Sequence, residues 1–212
     1  MEAIDTVPAL PDPVDVAAEL AKAIGHRTRL LALERLAQRP CAVTELARAL
    51  GLSITTLSAQ LQVLRGAGLV VGTRSGTTVR YALASDDVAH LVAALFSTTV
   101  HVRVDARDAV AAHLPNGVAF APPATDLDQG VVLVDVRPAD EFTFGRLHGA
   151  INIPLEELTS RLADLPRDSR VVVYCRGRLC TLSHRAARIL AAEGFDVRVL
   201  ETGQLEHKGE AA

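Results

Sequence analysis

The residue pattern changes at a proline- and glycine-rich stretch, residues 115–130, which holds three prolines and two glycines. This composition is typical of a linker, because proline and glycine interrupt regular secondary structure. Before the stretch, apolar residues recur at helical spacing; after it, they form short continuous runs. A chain whose pattern changes in this way is predicted to fold as two domains, and 212 residues suffice for two small ones.

The first part of the chain predicts a mainly α-helical domain over residues 16–114. Residues 1–15 contain three prolines among acidic residues and are predicted to form a flexible tail. Short amphipathic helices follow, then a hairpin over residues 69–83. An alanine-rich segment, residues 88–114, predicts one long helix that Pro115 ends.

The second part, residues 131–212, predicts an α/β domain with a parallel sheet. Three short β-branched runs, at 131–136, 171–174 and 197–200, are typical of buried parallel strands. Helical stretches near 155–164 and 182–193 lie between them. Strands that alternate with helices indicate a parallel sheet covered by helices.

The net charge of −3 hides an uneven distribution. Residues 22–84 carry nine Lys and Arg but only two Asp and Glu, a net charge of +7. Residues 1–21, 85–115 and 116–212 are acidic, with net charges of −5, −2 and −3. A compact basic segment within an acidic chain is typical of a domain that binds the phosphate backbone of nucleic acid.

The basic segment predicts a helix-turn-helix followed by a hairpin. A helix over residues 44–50 ends at Gly51, and Ser53 is placed to cap a second helix over residues 54–66. In the second helix, apolar residues from Ile54 to Leu64 recur at helical spacing and should face the core. Small polar side chains on its outer face suit contacts with the DNA major groove, and the arginines suit phosphates. The predicted DNA-contacting residues are Ser53, Thr55, Thr56, Ser58, Ala59, Gln62, Arg65, Arg74 and Arg80.

Residues 16–83 resemble the ArsR/SmtB family of winged-helix repressors. The resemblance is carried by HRTRLLALERLA at 26–37, TELARALGLSITTLSAQLQVLRGAGLV at 44–70 and VRYAL at 79–83. It implies a double-stranded DNA operator and repression relieved by a signal. It also implies a homodimer, with the long helix at 88–114 and the first helix near 16–24 at the interface.

Many members of that family sense metals, so a metal-responsive repressor is one alternative. Cys41 is the only thiol near the recognition helix, and one thiol is a poor soft-metal site. His90 and His101 share a face of the long helix with Asp105 one turn further on, and such residues suit a zinc site between subunits. Because this set is incomplete, the sequence assigns no metal ligands and no cofactor.

A cysteine-containing loop in the second domain carries the reactive chemistry. Cys175, Arg176, Gly177, Arg178 and Cys180 lie between a predicted strand and a predicted helix, where parallel α/β folds place their sites. Backbone N–H groups at the helix start and the two arginines favour an anion there. We therefore predict a lowered pKa for the Cys175 thiol. Cys180 is either an inert thiol or a partner that resolves a modified Cys175.

Residues 131–206 resemble the rhodanese family of sulfurtransferases. VVLVDVRPADEFTFGRLHGAINIPLEEL at 131–158, VVVYCRGRLC at 171–180 and GFDVRVLETG at 194–203 carry the resemblance. It implies that Cys175 accepts sulfur. Asp135, Arg137 and Glu141 match motif positions that would support the loop by ion pairs and hydrogen bonds.

The combination of these two domains predicts a transcriptional regulator that acts as a repressor and senses reactive sulfur species or oxidants through the loop cysteines. Its small partner would be a persulfide, polysulfide or thiosulfate. The enzyme alternative is a thiosulfate or persulfide sulfurtransferase whose first domain controls its own operon. Three cysteines, no secretory signal and no apolar run of membrane-spanning length favour a reducing cytoplasm and no membrane partner.

Overall fold

A computed structural model describes residues 11–124, 127 and 130–208. Most of the predicted tail, residues 1–10, lies outside the described residues. The first helix, α1, spans Pro13–Ile24 and so begins inside that predicted tail. Asp12 caps it by accepting a hydrogen bond from the Val14 amide at 2.7 Å, and Pro13 suits the first helical position.

The helix-turn-helix prediction is confirmed. The elements of this part are α2 (Arg27–Gln38), β1 (Cys41–Ala42), α3 (Val43–Leu50) and α4 (Ile54–Gly66). Gly51 ends α3 at a φ of 65°, the left-handed conformation that glycine adopts without strain. The Ser53 side chain accepts a hydrogen bond from the Thr56 amide at 3.0 Å and caps α4.

The core of the first domain is formed by one face of each helix. Leu57, Leu61 and Leu64 of α4 are completely buried in it. The prediction that Ile54 also faces the core is wrong, since half of its surface is exposed. Ile54 is the first residue of α4, and the buried positions of this helix begin one turn later, at Leu57.

The hairpin and the long helix differ in detail from the prediction. β2 (Val70–Ser75) and β3 (Thr78–Leu83) form the wing, with Gly76 at its turn at a φ of 59°. Instead of one helix over residues 88–114, α5 (Asp86–Val102) and α6 (Val104–Ala111) follow one another. Arg103 separates them because its backbone is extended, at φ −110° and ψ 108°.

The second domain is built on a five-stranded parallel sheet in the order β4-β8-β7-β5-β6. Its strands are β4 (Phe120–Ala121), β5 (Val132–Asp135), β6 (Ile151–Asn152), β7 (Val171–Tyr174) and β8 (Val197–Leu200). The three predicted strands are therefore present. β4 lies within residues 115–130, predicted as a linker, and pairs with β8 at the edge of the sheet.

The helices of this domain are α7 (Ala139–Phe144) and α8 (Leu182–Ala192). The helical stretch predicted near 155–164 is a 3₁₀ helix, Leu158–Asp164. β7 is buried along its whole length, and its last residue, Tyr174, leads directly into the cysteine loop. The loop therefore begins at the carboxyl ends of the parallel strands, next to the turns after β5 and β6.

The segment after β8 joins the two domains. Leu205 is buried and belongs to the apolar cluster that forms the core of the first domain. The Lys208 Nζ donates a hydrogen bond to the carbonyl oxygen of Ala37 at 2.9 Å and lies 3.5 Å from Asp86 Oδ1. The His90 ring contacts the Lys208 carbonyl oxygen at 3.0 Å. No helix in the described part of the chain is long and apolar enough to cross a membrane.

Candidate functional site

The cysteine loop places its two thiols side by side. Cys175 follows β7 and is almost completely buried, whereas Cys180, at the other end of the loop, is partly exposed. The Cys175 Sγ lies 3.3 Å from the Cys180 carbonyl oxygen and 3.2 Å from the Ser183 Oγ. Cys175 is therefore enclosed by the loop and by the first turn of α8, and Cys180 is the more accessible thiol.

The predicted lowering of the Cys175 pKa is not found. Burial raises the pKa of the Cys175 thiol well above its usual value, and its hydrogen bond to Cys180 raises it further. The pKa of Cys180 is lowered to about 5 by that hydrogen bond from Cys175 and by the Arg176 guanidinium. The thiolate of the pair therefore lies on Cys180, because only this sulfur faces a cation and the backbone N–H groups of Arg176 and Leu182.

Arg176 connects the loop to Glu141 and to the first domain. Its guanidinium is buried, with Nη2 at 2.6 Å and Nε at 3.1 Å from Glu141 Oε1. The third nitrogen, Nη1, lies 3.8 Å from the Cys180 Sγ. From α2, the Arg35 Nη1 lies 3.7 Å from the same Glu141 oxygen. The ion pairs on which the loop depends therefore include a side chain of the helix-turn-helix domain.

Glu34, also on α2, is buried within this group of charges. Burial raises the pKa of its carboxyl to about 7, and the negative charge of Cys180 raises it as well, while Arg176 and Arg35 lower it. Glu34 thus changes its charge near neutral pH, at the contact between α2 and the cysteine loop.

Glycines let the C-terminal segment close over the loop. The Glu206 carboxylate accepts hydrogen bonds from the Arg178 amide at 3.1 Å and from the Gly203 amide at 2.8 Å. A Cβ on Gly203 would collide with the backbone of Cys175 and Arg176. The Arg178 side chain pairs with Glu201, with Nη1 at 2.6 Å from Oε1. Of the two loop arginines, therefore, only Arg176 faces the thiols.

Asp135 and Arg137 form a completely buried ion pair behind the loop. The Arg137 Nη2 lies 2.5 Å from Asp135 Oδ2, and Nε donates to both carboxylate oxygens at 3.0 Å. Arg137 also donates from Nη2 to the Gly145 carbonyl oxygen at 2.7 Å and from Nη1 to the Gln38 Oε1 of α2 at 2.8 Å. This pair therefore reaches across the domain boundary as well.

The predicted DNA-contacting side chains are exposed or partly exposed in the first domain. Of the nine, Ser58 is partly buried and the other eight are exposed. Arg80 is held by the Pro40 carbonyl oxygen, which its Nη2 approaches to 2.9 Å. Arg74 donates from Nε to the Gly76 carbonyl oxygen at 3.1 Å, across the turn of the wing. Arg65 lies in the last turn of α4.

Comparisons with known proteins match both halves of the chain. Residues 26–71 match the bacterial regulatory protein family arsR, and residues 124–208 match the rhodanese-like domain. The HTH-type transcriptional regulator Rv0324 of Mycobacterium tuberculosis is 40% identical over 197 residues, which are 91% of this chain and 87% of that protein. The chain belongs to the ArsR family of bacterial regulatory proteins.

Two further relatives cover only the first domain. The HTH-type transcriptional regulator NmtR of M. tuberculosis is 36% identical over 104 residues, 48% of this chain and 87% of NmtR. A solution structure described as a homodimeric winged helix-turn-helix DNA-binding domain of Mycobacterium bovis is 37% identical, covers 44% of this chain and 90% of that chain, and has a TM-score of 0.40. The protein is thus an ArsR-family transcriptional regulator with a C-terminal rhodanese-like domain.

The residues considered for a metal site in this ArsR-family protein are spread apart. Among the described residues, no three His, Cys, Asp or Glu side chains form a group that would hold a metal ion. Asp105 is paired with Arg103 at 2.7 Å, and His90 contacts the C-terminal segment. Cys41 is buried in the core of the first domain.

Several residues of the site were not identified from the sequence. Glu34 and Gln38 of α2 contact the rhodanese-like domain although they lie in an ordinary amphipathic helix. Ser183 and His184 lie in the first turn of α8, and Glu206 lies after the last strand. One signal in the sequence could have identified Glu34 and Gln38: they lie one turn apart, beside the apolar positions of α2. Polar residues at buried positions are usually paired, so this placement indicates partners elsewhere in the chain.

Removing one arginine from the wing or from the end of α4 should weaken DNA binding at every sequence. For Arg74→Ala or Arg65→Ala, we expect the slope of log affinity against log salt to fall in magnitude by about 1, because each arginine neutralises one phosphate. Titration of a labelled duplex at several salt concentrations measures this slope. Arg170→Ala, an exposed arginine of the rhodanese-like domain, is the matched control and should leave the slope unchanged.

Proposed function

We propose that this ArsR-family regulator binds its DNA operator as a homodimeric repressor and senses reactive sulfur species or oxidants through Cys175 and Cys180. Family membership supports the regulatory part, and the loop supports the chemical part. The single observation that carries the proposal is the ion-pair connection from Arg176 of the cysteine loop through Glu141 to Arg35 of α2. Chemistry at the loop thereby occurs at the surface of the DNA-binding domain.

The dimer is supported by apolar side chains that the single subunit leaves exposed on α1 and α5. Val14 and Val16 of α1 and Leu91 and Leu95 of α5 are each at least 39% exposed. Two helices with exposed apolar residues are suited to pack against the same helices of a second copy. A two-fold symmetric dimer would place two α4 helices in successive major grooves of the operator.

The chemistry of sensing follows from having two thiols in contact. A persulfide donor gives its terminal sulfur to one thiolate and leaves as a thiolate, and the protein then carries a persulfide. The second thiol, once deprotonated, attacks the protein sulfur of that persulfide. Hydrosulfide leaves and a Cys175–Cys180 disulfide forms, so that the donor's sulfane sulfur is the oxidant that becomes reduced.

The signal reaches α2 through charge. The Cys180 thiolate is one of the charges that keep the Glu34 pKa near 7. When the thiolate is consumed in a disulfide, the Glu34 pKa falls and the carboxylate ionises at neutral pH. The negative charge beside Arg176 then lies on α2 instead of on the loop, and this shift changes the ion pairs that hold the loop region against the helix-turn-helix domain.

Replacing either loop cysteine should abolish regulation by sulfur. We expect the Cys175→Ser protein to bind the operator as tightly as the unmodified protein, and we expect both Cys175→Ser and Cys180→Ser to show less than about a tenth of its release on polysulfide treatment, because neither variant forms the disulfide. A gel shift with parallel mass spectrometry of the peptide containing residues 175–180 measures both events. Cys41→Ser, which changes the third and distant thiol, is the matched control and should respond normally.

The same variants separate the alternatives. Sulfide-dependent release that survives in Cys175→Ser contradicts the sensor. Loss of sulfurtransferase turnover with unchanged regulation of DNA binding supports the enzyme alternative. Release by zinc or arsenite that survives in Cys175→Ser supports the metal-responsive alternative.

A further inference from the structure

A cavity of about 270 Å³ lies between the two domains, beside the cysteine loop. Its first-domain wall comes from α5 and α6 and includes Ala106, Ala109 and Val110. Its second-domain wall is formed by the loop from Arg178 to Thr181, including Cys180, and by His184 of α8. Cys175 does not line it. The cavity is larger than the roughly 150 Å³ that holds a benzene molecule in a protein core.

The chemistry of the lining favours an uncharged organic molecule. Apolar atoms form most of the walls, with Ala106, Ala109, Val110 and Leu179 among the ten lining residues, and the cationic group of Arg178 is paired with Glu201 at 2.6 Å. A small inorganic anion would have to compete with Glu201 for this cation. An aryl or alkyl body would instead bury apolar surface against both domains.

His184 supplies an unsatisfied polar group at the same cavity. The side chain is 4% exposed, and neither ring nitrogen makes a hydrogen bond of good geometry with the described residues. The rings of His113 and Phe120 pack edge-on against it, with centroids 6.1 and 6.0 Å away. Burial lowers the pKa of His184, while the Cys180 backbone raises it, so the ring is neutral and has one N–H donor and one acceptor. The Cys180 backbone satisfies the donor at most, and buried polar groups are nearly always satisfied, so the open acceptor nitrogen indicates a ligand.

We propose that this cavity binds small organic persulfides with an uncharged, apolar body and presents their terminal sulfur to Cys180. The inference rests on the proposed function and refines it, because it assigns Cys180 as the thiol that meets the reagent and Cys175 as the thiol that resolves it. The sequence favoured the opposite order. Two observations support the new order: Cys180 lines the cavity, and Cys175 is buried behind the loop.

The reaction balances without any further reactant. The Cys180 thiolate attacks the terminal sulfur of R–S–SH; a bond forms between that sulfur and Cys180 Sγ, the S–S bond of the donor breaks, and R–S⁻ leaves with the bonding pair. R–S⁻ then takes the proton of Cys175, whose thiolate attacks Cys180 Sγ. A disulfide forms and HS⁻ leaves, so the products are R–SH, HS⁻ and the disulfide.

The test compares an apolar donor with a charged one at a cavity that has been filled. Ala109→Phe places a ring in the cavity, and Ala112→Phe makes the same change on an exposed neighbour that does not line it. The rate of Cys180 persulfidation is followed by mass spectrometry with benzyl persulfide and with glutathione persulfide. We expect the rate ratio of benzyl to glutathione donor to fall by about tenfold in Ala109→Phe and to stay unchanged in Ala112→Phe.

Equal ratios in all three proteins, or a first sulfur found on Cys175, would overturn the inference. The proposed function is tested separately, by measuring whether inorganic polysulfide releases the protein from DNA. If polysulfide releases DNA from every protein and the donor ratio does not change, the cavity is not the donor site and the sensor stands. If polysulfide releases no DNA although the unreactive benzyl methyl sulfide shifts the His184 ring resonances, the sensor fails and the cavity still binds an apolar sulfur compound.

Discussion

Arg137→Met should lower the free energy of unfolding by about 3–5 kcal/mol, because it leaves the Asp135 carboxylate buried without a counter-charge. Both side chains are completely inaccessible to solvent, and Arg137 makes bonds to Asp135, Gly145 and Gln38 that methionine cannot make. The loss should also loosen the contact with α2, since the Gln38 Oε1 loses its donor. Urea unfolding followed by circular dichroism measures the change.

An exposed ion pair of the same type provides the control. Arg170 and Asp196 are 2.8 Å apart, but their side chains are 37% and 59% exposed. Arg170→Met should therefore cost less than about 1 kcal/mol. The double variant Asp135→Asn with Arg137→Met should lose less stability than Arg137→Met alone, because no charge remains buried. Equal losses of unfolding free energy for Arg137→Met and Arg170→Met would show that the buried ion pair stabilises the protein no more than the exposed one.

The sequence predicts the features of this protein that depend on neighbouring residues. The Ser53 cap, the left-handed Gly51 and the strands at 171–174 and 197–200 all follow from local preferences, and the structure has them at the predicted residues. The break at Arg103 does not follow, because no glycine or proline marks it. The short strand β4 escapes prediction for a similar reason, since its two residues lie between prolines and are ordered only by pairing with β8.

The site is predicted less completely than the fold, because its properties depend on contacts between distant segments. The sequence places Cys175 and Cys180 in one loop, but which thiol has the lower pKa depends on burial and on where the Arg176 side chain points. Gln38 and Arg137 are 99 residues apart, and no periodicity links them. The packing of the loop against α2, on which the proposed coupling depends, is therefore visible only in the structure.

Glu34→Gln should stabilise the protein in a strongly pH-dependent way. The Glu34 carboxyl has a pKa of about 7 in the folded protein, against 4.5 in the unfolded chain. A carboxyl whose pKa is raised on folding favours the folded state at low pH, and that advantage is lost as the pH rises from about 4.5 to about 7. We therefore expect the free energy of unfolding of the variant to exceed that of the unmodified protein by about 3 kcal/mol at pH 8 and by only about 1 kcal/mol at pH 5.

Glu45→Gln is the matched control, because its effect has the opposite sign. The ion pair with Arg39 lowers the Glu45 pKa, so this carboxylate stabilises the fold above its unfolded pKa, and its removal should destabilise the protein at pH 8. The comparison is made by urea unfolding of reduced protein from pH 5 to pH 8. A Glu34→Gln stabilisation that does not change with pH would contradict the buried, titrating carboxyl.

The same measurement tests the electrostatic link between the loop and α2. In the reduced protein the Cys180 thiolate helps to raise the Glu34 pKa, after the larger effect of burial. Closing the Cys175–Cys180 disulfide removes this negative charge, so Glu34 ionises at lower pH and at a smaller cost. The stabilisation by Glu34→Gln at pH 8 should therefore be smaller in the oxidised protein than in the reduced one, with a lower midpoint pH. If oxidation leaves both quantities unchanged, the signal does not pass through Glu34. The other described links between the second domain and the α2 region are the ion pairs from Arg176 through Glu141 to Arg35, the ion pair of Arg39 with Asp140 and the hydrogen bond of Arg137 with Gln38.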